Sequence, residues 1–168
     1  IGLMYGTDSA VASNNVSSET YRYMMEMYRQ VLDEFSNEVE IEFVSHYIDE
    51  LSPFRRDFPG QILRYSYDAK DYLDIYGRYD LVIGYRVHGI GISASMGIPG
   101  IMISHDPRAA TVKGFKSEMI DVGTPYSQLR ESIQGAMQDI EDRSLGLQAH
   151  KARTRAEYLN LIKAIPER

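Results

Sequence analysis

Apolar positions recur along the chain in two alternating rhythms. Ile1 to Tyr5 is a short apolar run, and a polar stretch, Gly6 to Ser17, follows it. Tyr21, Met24, Met25, Tyr28, Val31, Leu32 and Phe35 then fall at the i, i+3, i+4, i+7 spacing of an amphipathic helix, with Ser17 or Ser18 placed to cap it. Val39, Ile41 and Phe43 alternate with Glu40 and Glu42, the period of a half-buried strand. Residues 46–60, interrupted by Pro53 and Pro59, read as a loop. Ile62 to Tyr65 predicts a third strand, and Asp68 can cap a helix carrying Tyr72, Leu73 and Tyr76.

Leu81, Val82 and Ile83 form an unbroken apolar run ending at Gly84, as expected of a central strand covered on both faces. A short helix over His88 to Met96 precedes the turn Gly97-Ile98-Pro99-Gly100 and a fifth strand, Ile101 to Ser104. After a polar loop two helices close the chain, one with Leu129, Ile133, Ala136, Met137 and Ile140 on a stripe, the other over Leu145 to Ile165. Strands alternating with helices predict an α/β, Rossmann-like, three-layer domain. Its sheet would hold five parallel strands in order 3-2-1-4-5. Ligands of such sheets bind beyond the carboxyl ends of the strands. Here those ends are Gly6 to Asp8, Ser45-His46, Gly84 to His88 and Ser104 to Arg108, and the last two are the most cationic.

Composition narrows the functional classes. The 168 residues make a single domain, 1–168, and the opening Ile1, inside a strand, suggests a segment of something longer. There is no cysteine, which excludes disulfides, thiolate metal sites and cysteine nucleophiles and fits a cytoplasmic setting. A net charge of -6 argues against nucleic acid as a partner. No apolar run reaches the roughly 20 residues of a membrane span.

The segment from Asp80 through Leu81-Val82-Ile83-Gly84-Tyr85-Arg86-Val87-His88 to Gly91 carries the most chemistry. Gly84 lets the chain leave its strand sharply, and Gly89 and Gly91 are placed to expose amides at a helix N-terminus, where an anion is favoured. Arg86 offers a planar fork for carboxylate or phosphate, and His88 a group suited to proton transfer near neutral pH. The alternative is that Arg86 pairs with a local carboxylate while His88 caps the helix. Two other motifs weigh less. Gly89-Ile90-Gly91-Ile92-Ser93-Ala94 matches a dinucleotide fingerprint, but on the fourth strand and not directly after it. His46 and His105-Asp106 hold metal-ligating types without metal-site spacing, so no metal is expected. Tyr65, Tyr67 and Tyr85 are conceivable sugar platforms.

From Asp80 to Gly100 the chain resembles the polysaccharide pyruvyl transferase family: an aspartate, an apolar strand, Arg86-Val87-His88, a small-residue helix and Gly97-Ile98-Pro99. The resemblance continues through Ser104-His105-Asp106-Pro107-Arg108 and Gly114-Phe115. Family members often carry Leu where Val87 stands and Tyr where His105 stands. Many also have an Arg after the first strand, where this chain reads Met4-Tyr5-Gly6-Thr7-Asp8. The resemblance implies transfer of a pyruvyl group from phosphoenolpyruvate to sugar hydroxyls in exopolysaccharide biosynthesis, without a cofactor. It implies one half of a GT-B-like two-domain enzyme, partnered by an N-terminal domain, inactive or nearly so when isolated. It gives Arg86 the donor's anion, His88 the proton, and Arg108 and Lys113 the phosphate, with Gly89, Gly91, Ser104 and His105 completing the donor site. Two readings stay open beside it: a glycosyltransferase half holding a nucleotide sugar, with Asp106 or Glu118 on the ribose, and a binding domain without activity.

Overall fold

The computed structural model describes residues 1–7 and 17–165; the remainder of the first polar stretch, Asp8 included, lies outside the described residues. Among the described residues six strands form one sheet: β1 (Gly2–Met4), β2 (Glu42–Val44), β3 (Leu63–Arg64), β4 (Val82–Gly84), β5 (Gly100–Ser104) and β6 (Glu118–Asp121). Every pairing is parallel and the order is β3-β2-β1-β4-β5-β6. The expected order is therefore present, extended by a sixth strand. The α/β, Rossmann-like class follows from this arrangement.

Alternating strand residues feed two cores. Leu3, Tyr5, Phe43, Leu81, Ile83, Ile101, Ile103 and Ile120 face α1 (Ser18–Phe35), α2 (Leu51–Asp57) and α5 (Tyr126–Gln138). Met4, Val44, Val82 and Met102 face α3 (Asp71–Tyr76), α4 (Val87–Ser95) and a 3-10 segment, Pro107–Phe115. The last helix, α6 (Ile140–Lys163), packs on α4 and α5, and Leu147 is its one buried residue. Ser17 caps α1, its Oγ accepting the Thr20 amide at 3.2 Å.

Several expectations are corrected. Residues 46–60 are not a loop: a 3-10 turn, Ile48–Glu50, runs into α2. Pro53 is tolerated because it stands in the first turn of α2, where amides lack intrahelical partners anyway. Phe54 and Phe58 then pack on Phe43, ring centroids 5.0 and 4.5 Å away. Glu42 does not face solvent. It is buried in a sheet covered on both sides, with Arg64 donating to its two oxygens at 2.9 and 2.5 Å and Tyr79 Oη donating at 3.1 Å. Strand β6 was hidden because its apolar pair, Met119-Ile120, is flanked by Glu118 and Asp121. Asp68 holds the approach to α3 by accepting the Lys70 amide at 2.9 Å, and the helix itself starts at Asp71. Helix α6 begins at Ile140, five residues before the expected start, because Ile140 belongs to it and not to the preceding stripe.

Candidate functional site

The turn from β4 into α4 is shaped by what fills the space beside its glycines. A Cβ on Gly84 would stand 2.5 Å from the Met4 side chain, so the two strands approach here only without one. Arg86 is extended (φ -103°, ψ 115°) and forms the N-cap of α4, whose first backbone bond runs from the Ile90 amide to the Arg86 carbonyl at 3.2 Å. The amides of Val87, His88 and Gly89 precede that bond and are free of intrahelical partners. Gly91 lies one turn further in, where i to i-4 pairing takes its amide. The glycines serve packing: a Cβ on Gly89 would meet Tyr76 Oη at 2.3 Å and Met4 Sδ at 2.6 Å, and one on Gly91 would meet Phe115 at 3.2 Å. Since Gly89 to Ala94 lie inside the helix, the fingerprint-like motif is not a phosphate loop.

Arg86 and His88 leave the strand together and part in environment. The Arg86 guanidinium donates through Nη2 to Glu50 Oε1, a carboxylate 36 residues away in sequence and not a local one. It also lies over the Tyr47 ring, Cζ 4.5 Å from the centroid, and 5.5 Å from that of Tyr85. Its Nε is buried and has no partner among the described residues. Glu50 is fully buried, and Oε2 accepts from Ser45 Oγ at 2.6 Å and from the amides of His46 and Tyr47 at 3.1 and 3.2 Å. Burial pushes the Glu50 carboxyl up, while Arg86 and these three donors pull it back. His88 is exposed at the second position of α4, Arg86 is the N-cap, and His88 has no side-chain hydrogen bond among the described residues, so the helix-capping alternative does not hold for it.

A second histidine belongs to the same cluster. His46, just beyond β2, shares a 2.9 Å hydrogen bond with Tyr76 Oη and stands edge-on to Tyr72 at 5.0 Å. Burial first, then the positive charges of Arg86 and His88, push its pKa down to about 3. His46 is therefore a neutral imidazole at physiological pH, close enough to feel both candidate residues.

Tyr85 and His105 link the β4 and β5 ends. Their rings meet edge to face at 5.4 Å, and the charges of Arg108 and Arg86 both act on His105, which burial holds below its ordinary pKa. Ser104, the last residue of β5, is half-buried. Arg108 is exposed and folded back on Asp106, donating from Nη2 to Oδ2 at 2.7 Å, while Asp106 Oδ1 accepts the Arg108 amide at 2.7 Å. Lys113 is exposed on the same 3-10 segment and has no side-chain partner among the described residues. Arg86, His88, His105 and Arg108 thus lie along adjoining carboxyl ends, with Arg108 engaged locally and Lys113 further along. Tyr85 is buried and cannot be a sugar platform, whereas Tyr65 and Tyr67 form an edge-to-face pair at 5.1 Å. Among the described residues no group of His, Asp or Glu forms a metal site.

Glu50, His46, Tyr47 and Tyr76 are the residues sequence reasoning did not assign to this site. Tyr76 had a helical period, but Glu50 sat in a presumed loop, and no pattern marks a carboxylate that tertiary structure buries. A cavity of about 420 Å³ opens at the opposite, amino edge of the sheet, lined by residues such as Glu42, Tyr79 and Asp80 and not by Arg86 or His88.

The polysaccharide pyruvyl transferase family model matches residues 5–107, well over half of the chain. No curated protein matches the sequence. Among solved structures, the crystal structure of the glycotransferase of kitacinnamycin aligns with 98% of this chain at 15% identity and a TM-score of 0.47. The chain spans 43% of that protein's length.

Proposed function

We propose a function from one premise: the chain belongs to the polysaccharide pyruvyl transferase family. On our reading it is the donor-binding half of a GT-B-like enzyme that transfers a pyruvyl group from phosphoenolpyruvate to sugar hydroxyls during exopolysaccharide assembly in the cytoplasm. An N-terminal domain supplies the other wall of the cleft. The carrying observation is the pair Arg86 and His88 at one strand end, the first held against buried Glu50 and the second exposed to an incoming group.

The donor has two anionic groups and a nucleophilic methylene. Arg86 and the amides at the start of α4 that lack intrahelical partners take an anionic group. Arg108 and Lys113 neutralise phosphate charge, Arg108 by turning from Asp106. His88 delivers a proton to the methylene carbon. The electron pair of the double bond forms the new C–H bond, and the neighbouring carbon becomes the electrophile, stabilised by its ester oxygen. One sugar hydroxyl adds there and gives up its proton. Inorganic phosphate then departs and a second hydroxyl closes the ketal, again losing a proton. No cofactor enters these steps.

A nucleotide-sugar donor is disfavoured at Glu118. It accepts from Ser132 and Arg143, so it is not free for a ribose. Among the described residues no helix is long and apolar enough to cross a membrane. The test is to incubate the complete enzyme with phosphoenolpyruvate and sugar acceptors, following phosphate and ketal together. Equimolar release of phosphate and formation of ketal, lost in His88→Ala, is the expected result. Turnover of nucleotide sugars with phosphoenolpyruvate untouched overturns the reading.

A further inference from the structure

Glu50 ties the site together from beneath. One carboxylate oxygen is occupied by the turn leaving β2, through Ser45 Oγ and the amides of His46 and Tyr47. The other receives Arg86, which arrives from the end of β4, with β1 lying between the two strands. Tyr47, whose amide this carboxylate fixes, lays its ring against the guanidinium. One turn therefore grips Arg86 by an edge and a face. The buried Nε meanwhile has no acceptor among the described residues.

Such a pair is a poor source of net stability, because desolvating both charges offsets most of their attraction. What it supplies is orientation: a planar fork binds an anion well only when its donors already point along the right lines. We propose that Glu50 is a positioning residue that fixes the Arg86 guanidinium for the donor's anion, an inference that rests on Arg86 being the donor-binding group. A neutral amide in its place turns a donor toward the amides of the turn and removes the charge that holds Arg86. The guanidinium then rotates freely and meets the anion in many orientations.

The test uses the 168-residue chain, ¹⁵N-labelled, as wild type and as Glu50→Gln. The first readout is the Arg86 Nε–Hε resonance, which a held, buried guanidinium protects from exchange with water. The second is the affinity for phosphoenolpyruvate followed by amide shifts. In Glu50→Gln the Arg86 resonance is expected to broaden away and the affinity to fall tenfold or more, while amides distant from β2 and β4 keep their positions. A retained Arg86 resonance, or an affinity within twofold of wild type, overturns the proposal and leaves Glu50 a structural residue. If the wild-type chain shows no phosphoenolpyruvate binding, the donor reading itself fails, and the Arg86 resonance alone decides what Glu50 does. Should Glu50→Gln fail to fold, Glu50→Asp, which keeps the charge one methylene further from Arg86, takes the same readouts with the same outcomes.

Discussion

Arg86 and His88 stand two positions apart, yet truncating them should have unequal consequences for folding. Removing Arg86 leaves Glu50 buried and without its cation. An uncompensated buried charge of this kind costs about 3–5 kcal/mol. Arg86→Ala should therefore lower stability in a denaturant titration as well as weaken donor binding, so binding measurements need the folded fraction beside them. His88 is exposed, and His88→Ala should change stability by no more than about 0.5 kcal/mol. If it is the proton donor, turnover of the complete enzyme should fall roughly 100-fold. A destabilised His88→Ala protein with full turnover would reverse both assignments.

His46 yields a second prediction at this scale. Its folded pKa is lowered to about 3 by burial and by the charges of Arg86 and His88. The unfolded chain takes up this proton near pH 6.5, and the folded chain does not. The contribution of neutral His46 to stability is therefore complete above about pH 6.5 and declines as pH falls toward 3. At pH 5 the loss amounts to roughly 1–2 kcal/mol. Its imidazole Hε1 shift should stay constant from pH 7.5 to 4.5, and His46→Gln should flatten the fall in stability between pH 7 and 5. An imidazole titrating near pH 6.5 would contradict the burial argument. Arg86 and His88 were legible because they sit beside glycines at the end of an apolar strand. Glu50 and His46 were not, because what places them is contact between segments distant in sequence.

At the scale of elements, glycine substitutions separate packing from propensity. Gly89 and Gly146 both lie inside helices, α4 and α6. A Cβ at Gly146 meets nothing within 4 Å, so Gly146→Ala should stabilise by about 0.5–1 kcal/mol through helix propensity alone. At Gly89 the same methyl collides with buried Tyr76 and Met4, and overpacking of this kind costs about 1–3 kcal/mol. Gly89→Ala should therefore be destabilising overall, and should disturb the Tyr76–His46 bond as well. Thermal melts of the two variants moving in the same direction would rule out the packing role of Gly89. The strands whose apolar runs stand clear of charge, such as β4 and β5, were legible in sequence. β6 and α2 were not: one is an apolar pair between acids, the other a helix with a proline in its first turn.

At the scale of the molecule, one sheet sets the geometry. Parallel order brings the carboxyl ends of β2, β1, β4 and β5 side by side, so residues 46, 50, 86, 88, 105 and 108 gather along one edge although they span more than sixty positions. The cavity near Glu42 and Tyr79 lies at the other edge, which makes the two ends distinguishable in solution. The order of the first five strands was readable from the alternation of periods. Which residues that order buries against one another was not, since burial of Glu42, Glu50 and His46 depends on both faces of the sheet being covered.

The central claim is that this carboxyl edge binds the donor. Titrating the ¹⁵N-labelled chain with phosphoenolpyruvate tests it most directly. The amides of Val87, His88 and Gly89, the Arg86 Nε–Hε group and the segment from Ser104 to Arg108 should shift together with one saturation curve, while residues around Glu42, Tyr79 and Asp80 stay fixed. Shifts confined to that amino edge, or none at the start of α4 at saturating ligand, would contradict the account.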